Sequence, residues 1–452
     1  MYRFRFNGTD KINQYEELIK VFMQPSEYEV IRDHEAEADY EYDFDGDKDE
    51  IKRSLYRDLQ ALTGKSPKWG ILTGIRPVKL AAELDKAYDK NPSDVLQSRY
   101  FLHESKASLT EEILRFQQEH TGTPAIDSLS VYIGIPFCPT RCLYCSFTSN
   151  QVGDEEIRRY LEALKEEIRA CGELIRTKGY RIESLYFGGG TPTTLTSDQL
   201  NDLLDLTGDS FDLGELKEFT VEAGRPDTID DEKIEVLLAH GVDRISINPQ
   251  SMKASTLELI GRRHTVEDVY RAFETALKYG VPSINADLIA GLPEETHEDF
   301  MNSVHEVIKL GADNVTLHTL AVKRASRLKE MDEHFNYKDE LLREKMLKDA
   351  HAALRTAGFR PYYLYRQKHT SGNTENTGFC KTNPSVYNIR IMEEEQTILA
   401  LGAGGISKVY YPPENRLERI ANVSNYQIYI ERISEMIQRK RTGGILNVNE
   451  RT

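Results

Sequence analysis

Tyr132-Ile133-Gly134-Ile135-Pro136-Phe137-Cys138-Pro139-Thr140-Arg141-Cys142-Leu143-Tyr144-Cys145-Ser146-Phe147 is the stretch on which the reading of this chain turns. It begins as an apolar β-type run and passes through Pro136 into three cysteines spaced C-x3-C-x2-C. Three thiolates at that spacing can wrap one iron–sulfur cubane, ligating three irons and leaving the fourth open. Zinc sites and electron-transfer clusters normally take four protein ligands. No fourth cysteine is near, since the other two of the chain's five are the isolated Cys171 and Cys380. The triad therefore points to a [4Fe–4S] cluster on Cys138, Cys142 and Cys145 that reserves one iron for a small molecule. Cys171 sits in a helical pattern and reads as buried packing; Cys380 falls in a loop rich in Gly, Asn and Pro.

Working outward, residues from about 128 to 320 alternate short β-rich runs with helical stretches. The strands are Ser130–Ile135, Ser184–Phe187, Glu218–Glu222, Arg244–Asn248, Ser283–Ile289 and Asn314–Leu320. The helices between them are Glu155–Lys178, Ser197–Leu206, Asp231–His240, Val266–Tyr279 and Glu298–Leu310. That rhythm is the signature of βαβ units and a parallel sheet. Six strands are too few for a closed eight-stranded barrel, and periodicity alone also permits an open sheet.

Residues 1–125 read as a separate α+β domain. Strand-like pieces at the start and around Tyr28–Tyr42 flank the acidic run Asp33–Glu50, which reads as a solvated hairpin or loop. Helices are expected over Ile51–Leu62, after Pro77 and from Val95 to about Phe116; Pro77 suits a first helical turn. A third domain, 326–452, is expected to hold a helix near Asp339–Thr356 and a strand at Tyr362–Tyr365. A loop to about 384, a tight turn at Gly402–Gly405 and an amphipathic helix near Ile428–Arg441 complete it.

A chain of 452 residues with 39% hydrophobic and 9% aromatic content fits a folded protein of two or three domains. Its net charge of −16 disfavours a nucleic-acid partner. No run approaches the ~18 apolar residues of a membrane span. The start, Met1-Tyr2-Arg3-Phe4-Arg5-Phe6, alternates like a strand and lacks the apolar core of a signal peptide, as expected of a cytoplasmic protein.

With these residues in view, the cysteine segment resembles the motif of the radical S-adenosylmethionine (SAM) superfamily. Its flanks, Ile135-Pro136-Phe137-Cys138 and Tyr144-Cys145-Ser146-Phe147, resemble the coproporphyrinogen-oxidase-like branch, and the likeness runs over about residues 128–410. It implies a partial (β/α)6 barrel with its site at the C-terminal strand ends. It also implies SAM bound to the open iron and used to abstract hydrogen from an unactivated carbon. Carried over position by position, Gly189, Gly190 and Thr191, in Phe187-Gly188-Gly189-Gly190-Thr191-Pro192-Thr193, hold the methionine amino group. Glu222, ending the third strand, takes ribose hydroxyls or nearby polar groups. Gln250 closes the fourth strand. Arg262 reaches the SAM carboxylate as a bidentate donor, with Arg263 the competing choice. Asp287, a carboxylate inside an apolar strand, needs a partner, for which the ribose is suited. Ala321 lets adenine stack, Tyr132 resembles an aromatic gate with a catalytic part, and Phe147 lies by the cofactor.

Phe147 also stands where coproporphyrinogen dehydrogenases of the main type carry a fourth cysteine. Heme-chaperone relatives share that replacement but carry an HN-x2-YW-like segment, whose nearest counterpart here is Tyr387-Asn388 without a Trp. The segments Glu222–Thr228, Lys323–Leu328 and Tyr363–Lys368, with the extra N-terminal domain, resemble the HemZ subgroup, described as oxygen-independent coproporphyrinogen III dehydrogenases. The resemblance implies oxidative decarboxylation of two propionates to vinyl groups, giving protoporphyrinogen IX, with a flavodoxin or ferredoxin as electron donor. A heme-binding chaperone and a heme-degrading SAM methyltransferase of the same branch are the alternatives, so the ligand is a porphyrinogen or heme-type tetrapyrrole. Substrate carboxylates call for cations, for which Lys323, Arg324, Arg327, Arg366 and Lys368 are candidates.

Overall fold

The computed structural model describes residues 1–33, 36–44, 46–74, 76–145, 149–320, 340–366 and 374–443 in two compact units. Met1–Phe116 with Leu364–Glu375 form one, and Gln117–Tyr363 with Asn376–Thr452 the other.

In the first unit, β1 (Tyr2–Asn7) lies between β2 (Tyr28–Ile31) and β3 (Tyr40–Asp43), and both pairings are parallel. The acidic run is therefore not the bend of a hairpin. Phe4 and Phe6 of β1 stack on Tyr40 and Tyr42 of β3 at 5.3 and 5.4 Å. Asp47, within that run, accepts the Asp49 amide at 2.9 Å and caps helix Lys48–Thr63. The single helix expected from Val95 is two, Pro92–Tyr100 and Glu104–His120, because Phe101 turns left-handed at φ 59°. Trp69 is fully buried, donates to Glu375 at 3.1 Å, and has the Arg366 guanidinium 5.0 Å over its ring.

In the second unit, β4 (Ser128–Ile135), β5 (Arg181–Gly189), β6 (Glu218–Glu222), β7 (Arg244–Ser246), β8 (Ser283–Ala290) and β9 (Asn314–Thr319) each pair in parallel with the next. Helices Asp154–Lys178, Ser197–Ser210, Asp231–Ala239, Val266–Lys278 and His297–Lys309 make the crossovers. This is the (β/α)6 arrangement, and among the described residues β4 and β9 do not pair with each other. Three of the helices start on capping boxes, Thr196 with Gln199, Thr265 with Asp268 and Thr296 with Asp299, which fix where each strand-end loop stops.

Later strands extend both edges. The expected loop before 384 instead contains β11 (Glu375–Cys380), antiparallel to β9, after β10 (Arg360–Arg366). Its polar residues read as loop, yet their partners are intramolecular: Asn376 Oδ1 accepts the Thr319 amide at 2.7 Å. Cys380 is consequently buried in a strand, and Cys171 is buried in its helix. After helix Val386–Glu393, β12 (Thr397–Leu401) pairs in parallel with β4, and β13 (Ile406–Tyr411) and β14 (Arg416–Ala421) follow. The terminal helix is split at Arg432 into Tyr426–Glu431 and Ile433–Thr442. Among the described residues no helix is long and apolar enough to cross a membrane.

Glu167, with no exposed surface, ties these additions to the barrel. It accepts from Gly402 N (2.8 Å), Asn422 Nδ2 (2.9 Å), the Tyr429 hydroxyl (2.6 Å) and Lys440 Nζ (2.5 Å). Removing one partner of a buried pair strands the other charge. Lys440→Met should lower unfolding free energy by ~3–5 kcal/mol in urea titrations, whereas an exposed pair such as Arg158–Asp154 should contribute under ~1 kcal/mol.

Candidate active site

Alternation along the parallel strands separates two faces. Val131, Ile133, Leu185, Phe187, Val221, Ile245, Leu288 and Leu317 join the apolar core. The intervening residues are mostly polar and make the inner face: Tyr132, Tyr186, Glu222, Ser246, Asp287 and His318 belong to it. A strand end on this face delivers polar groups into space the helices do not fill.

The cysteine loop leaves β4 and is pinned at both ends. Cys138 N donates to Asn150 O at 3.1 Å, Asn150 N returns to Pro136 O at 2.8 Å, and Leu143 N donates to Ile260 O at 2.9 Å. The glycines ending β5 serve this loop directly. Gly190 N donates to Ile135 O at 2.7 Å and Thr191 N to Phe137 O at 2.8 Å, and a Cβ on Gly190 would lie 2.4 Å from Phe137 O. Only glycine admits that approach. Cys138 Sγ lies 3.4 Å from Thr191 Oγ1. Burial pushes its thiol up to about 11 against the Thr191 hydrogen bond; Cys145 and Cys142 add to the rise, and Arg225 opposes it. The three sulfurs thus share one electrostatic neighbourhood, and thiolates form there only against compensating positive charge. Among the described residues they are not gathered into a preformed metal cage. Three thiols on a loop so anchored could hold three irons.

Arg225, which spacing gave no reason to select, clamps the loop between its first two cysteines. Its buried guanidinium donates to Thr140 Oγ1 at 2.5 Å and pairs with Asp227 at 3.0 Å. Tyr144 is likewise a residue the sequence did not mark. Its hydroxyl accepts from Arg262 Nε at 3.2 Å, while Arg262 Nη1 donates to Asn248 O at 2.5 Å and Gly224 O at 3.2 Å. Arg262 is buried beside Cys142 and Arg263 is exposed, which separates the two neighbours.

Two buried carboxylates share the inner face and differ in charge. Burial and the Asp287 charge push Glu222 up to about 7, against hydrogen bonds from Tyr186 and from Asn248 Nδ2 (3.4 Å). Asp287 is also buried, but His318 Nε2 at 3.3 Å, Asn285 Nδ2 at 2.8 Å and Thr316 outweigh the desolvation and hold it below the ordinary carboxylate range. Its partner is therefore a histidine on β9. Gln250, left-handed at φ 69°, is fixed by Gln250 N to Asp287 O (2.9 Å) and Ile289 N to Gln250 O (3.0 Å). Gln250 Oε1 and Asn248 Oδ1 are buried with no hydrogen-bond partner. Such acceptors can take a hydrogen bond from a water or a ligand.

Tyr132 stacks with Tyr186 and Tyr387, each 6.1 Å away, and these two lie 4.4 Å apart. It is thus one of three rings in the sheet interior. Arg366 is committed to the first unit, against Trp69 and the Leu72 carbonyl. Phe147, Ala321, Lys323, Arg324, Arg327 and Lys368 lie outside the described residues.

The raised Glu222 pKa has a stability consequence. The folded state keeps the proton up to about pH 7, while the unfolded chain releases it near its ordinary value of 4.5. Stability therefore falls as pH rises through that window, by on the order of 3 kcal/mol, and is flat above it. Glu222→Gln should lose less stability than wild type between pH 5 and pH 8 in urea unfolding of the protein without cofactors. Parallel pH curves would contradict this.

The Radical SAM superfamily profile matches residues 132–307, from the middle of β4 into the helix after β8. The oxygen-independent coproporphyrinogen-III oxidase-like protein HemZ of Bacillus subtilis is 40% identical over 392 residues, covering 84% of this chain and 78% of that one. The heme chaperone HemW of the same organism is 35% identical over 195 residues, covering 43% of this chain and 51% of that one. Among solved structures, the coproporphyrinogen III oxidase HemN of Escherichia coli, a radical SAM enzyme, superposes with a TM-score of 0.56 at 21% identity, over 72% of this chain and 73% of that one. At such identity the likeness is one of fold. The chain belongs to the radical SAM superfamily, in its oxygen-independent coproporphyrinogen III oxidase-like branch, whose cofactors are a [4Fe–4S] cluster and SAM.

Proposed function

We propose that this protein is an oxygen-independent coproporphyrinogen III dehydrogenase, converting two propionates to vinyl groups to give protoporphyrinogen IX. The observation that carries the reading is the anchored three-thiol loop, in a chain 40% identical to a coproporphyrinogen-III oxidase-like protein over 84% of its length. Cys138, Cys142 and Cys145 would ligate the cluster. The cofactor pair supplies abstraction of hydrogen from an unactivated carbon.

The protein's part is to bind, orient and exclude water. Gln250 Oε1 and Asn248 Oδ1 accept from SAM's amino or hydroxyl groups, and ionised Asp287 accepts from the ribose. Glu222, near neutrality, can accept or donate, and Gly189, Gly190 and Thr191 bring backbone groups against the cluster loop. Arg262 is directed at the SAM carboxylate. Ala321 for adenine and Phe147 beside the cofactor complete the set. Lys323, Arg324, Arg327 and Lys368 are the cations proposed for substrate carboxylates. An external one-electron donor, a flavodoxin or ferredoxin, reduces the cluster.

A chaperone reading draws on the HemW likeness, which covers 43% of this chain. Anaerobic turnover with dithionite, SAM and either coproporphyrinogen III or heme distinguishes the two. Vinyl product supports the dehydrogenase, and tight heme binding without decarboxylation replaces it with the chaperone. Reconstituted protein should hold about four irons, and alanine at any one of the three cysteines should abolish both cluster and SAM cleavage. Asp287→Ala and Arg262→Ala should keep the iron yet weaken SAM binding by ~2–3 kcal/mol in equilibrium dialysis.

A further inference from the structure

Gln250 and Glu294 are two of the five non-glycine residues with positive φ among the described residues, at 69° and 56°. Such backbone persists in residues with a Cβ only where the surroundings over-determine it. Here each strained residue stands next to a residue that joins the loop after β7 to the loop after β8. Ser251 Oγ donates to Glu295 Oε1 at 2.5 Å, with Ser251 and Glu295 only 1% and 5% exposed. Lys253 Nζ donates to Glu294 O at 3.1 Å and to Asp299 Oδ2 at 2.8 Å. Met252 N donates to Ser303 Oγ at 2.8 Å. Residues 251–253 are thus held from one side while the β8 backbone holds Gln250 from the other.

A glycine would satisfy the φ of position 250 without strain. What the glutamine adds is a buried amide whose oxygen lacks a partner, on a residue whose backbone is bonded to Asp287 and Ile289. We propose that Glu295 is a positioning residue for SAM: through Ser251 it holds Gln250 in the left-handed conformation that presents its amide to the ligand. The inference rests on the SAM site described under Proposed function. Glu295 is built for a graded grip. Burial pushes it up to about 7 against the Ser251 hydrogen bond, Asp299 adds to the rise and Lys253 opposes it, and its Oε2 has no partner. The hydroxyl bond to an ionised carboxylate is stronger than to a neutral acid, so the latch is tight above neutrality and loosens below it.

The test is SAM binding to cluster-reconstituted protein by equilibrium dialysis between pH 6 and pH 8, with iron content measured alongside. Glu295→Ala and Ser251→Ala should each weaken SAM roughly tenfold with iron unchanged, and the double variant should be no worse than either alone. Glu295→Gln keeps the shape with a neutral acceptor, and should bind SAM with less pH dependence than wild type. Glu222 titrates in the same window and is common to both proteins, so the difference between the two curves isolates Glu295. Wild-type affinity in Glu295→Ala, additive losses, or identical pH curves would overturn the latch. If Asp287→Ala loses SAM while Glu295→Ala does not, the latch alone fails; if wild type binds no SAM, the site reading fails with it. Should Glu295→Ala not fold, Ser251→Ala and Glu295→Gln carry the test.

Discussion

Polar groups buried on the inner face of β4–β9 must find hydrogen bonds, and that demand organises the second unit. The outer face is covered by crossover helices and needs no more than apolar contact. The inner face carries Glu183, Glu218, Arg244, Glu222 and Asp287, each buried or nearly so. Toward the strand starts, residues 383–396 meet it: Ser385 and the Tyr387 amide bind Glu218 at 2.9 and 3.1 Å, and Arg390 pairs with Glu183 at 2.9 Å. The Arg390 and Lys217 charges hold Glu183 down at about 2 despite its burial. Toward the strand ends, Asn248 and Gln250 still hold acceptors that the chain does not satisfy.

Charge on the inner face is set by the neighbours of its two carboxylates. Glu222 and Asp287 repel one another, and His318 at 3.3 Å, together with hydrogen bonds from Asn285 and Thr316, keeps Asp287 the ionised one. One carboxylate remains a fixed acceptor while the other exchanges its proton near neutrality. Two acids of the same chemistry thereby take different tasks because of their neighbours.

Close approach and strain share the task of shaping the strand ends. At Gly190 the absence of a side chain lets β5 lie against the cysteine loop, and at Gly224 a Cβ would come 2.9 Å from Asn248 Nδ2. At Gln250 the side chain is retained and the loop is held by bonds from elsewhere. The first strategy fixes the backbone locally; the second requires partners from β8, the loop after it and the helix that follows.

The sequence by itself determined the cysteine triad, the six parallel strands and their helices, because period-2 and period-3.6 patterns and a thiol spacing are local properties. Through the family resemblance it also marked Glu222, Gln250, Arg262 and Asp287. It missed β11, whose polar residues read as loop until Thr319 and the rest of the unit supplied their partners. It missed β12–β14, which lie on either side of a glycine turn, and the breaks at Phe101 and Arg432. Tertiary structure alone decided that His318 is the partner of Asp287, that Arg225 clamps Thr140, that Tyr132 joins Tyr186 and Tyr387, and that Ser251 meets Glu295 across 44 residues of chain. These are pairings between distant strand ends. Spacing along the chain does not encode them, because a parallel sheet sets its neighbours through register and crossover packing.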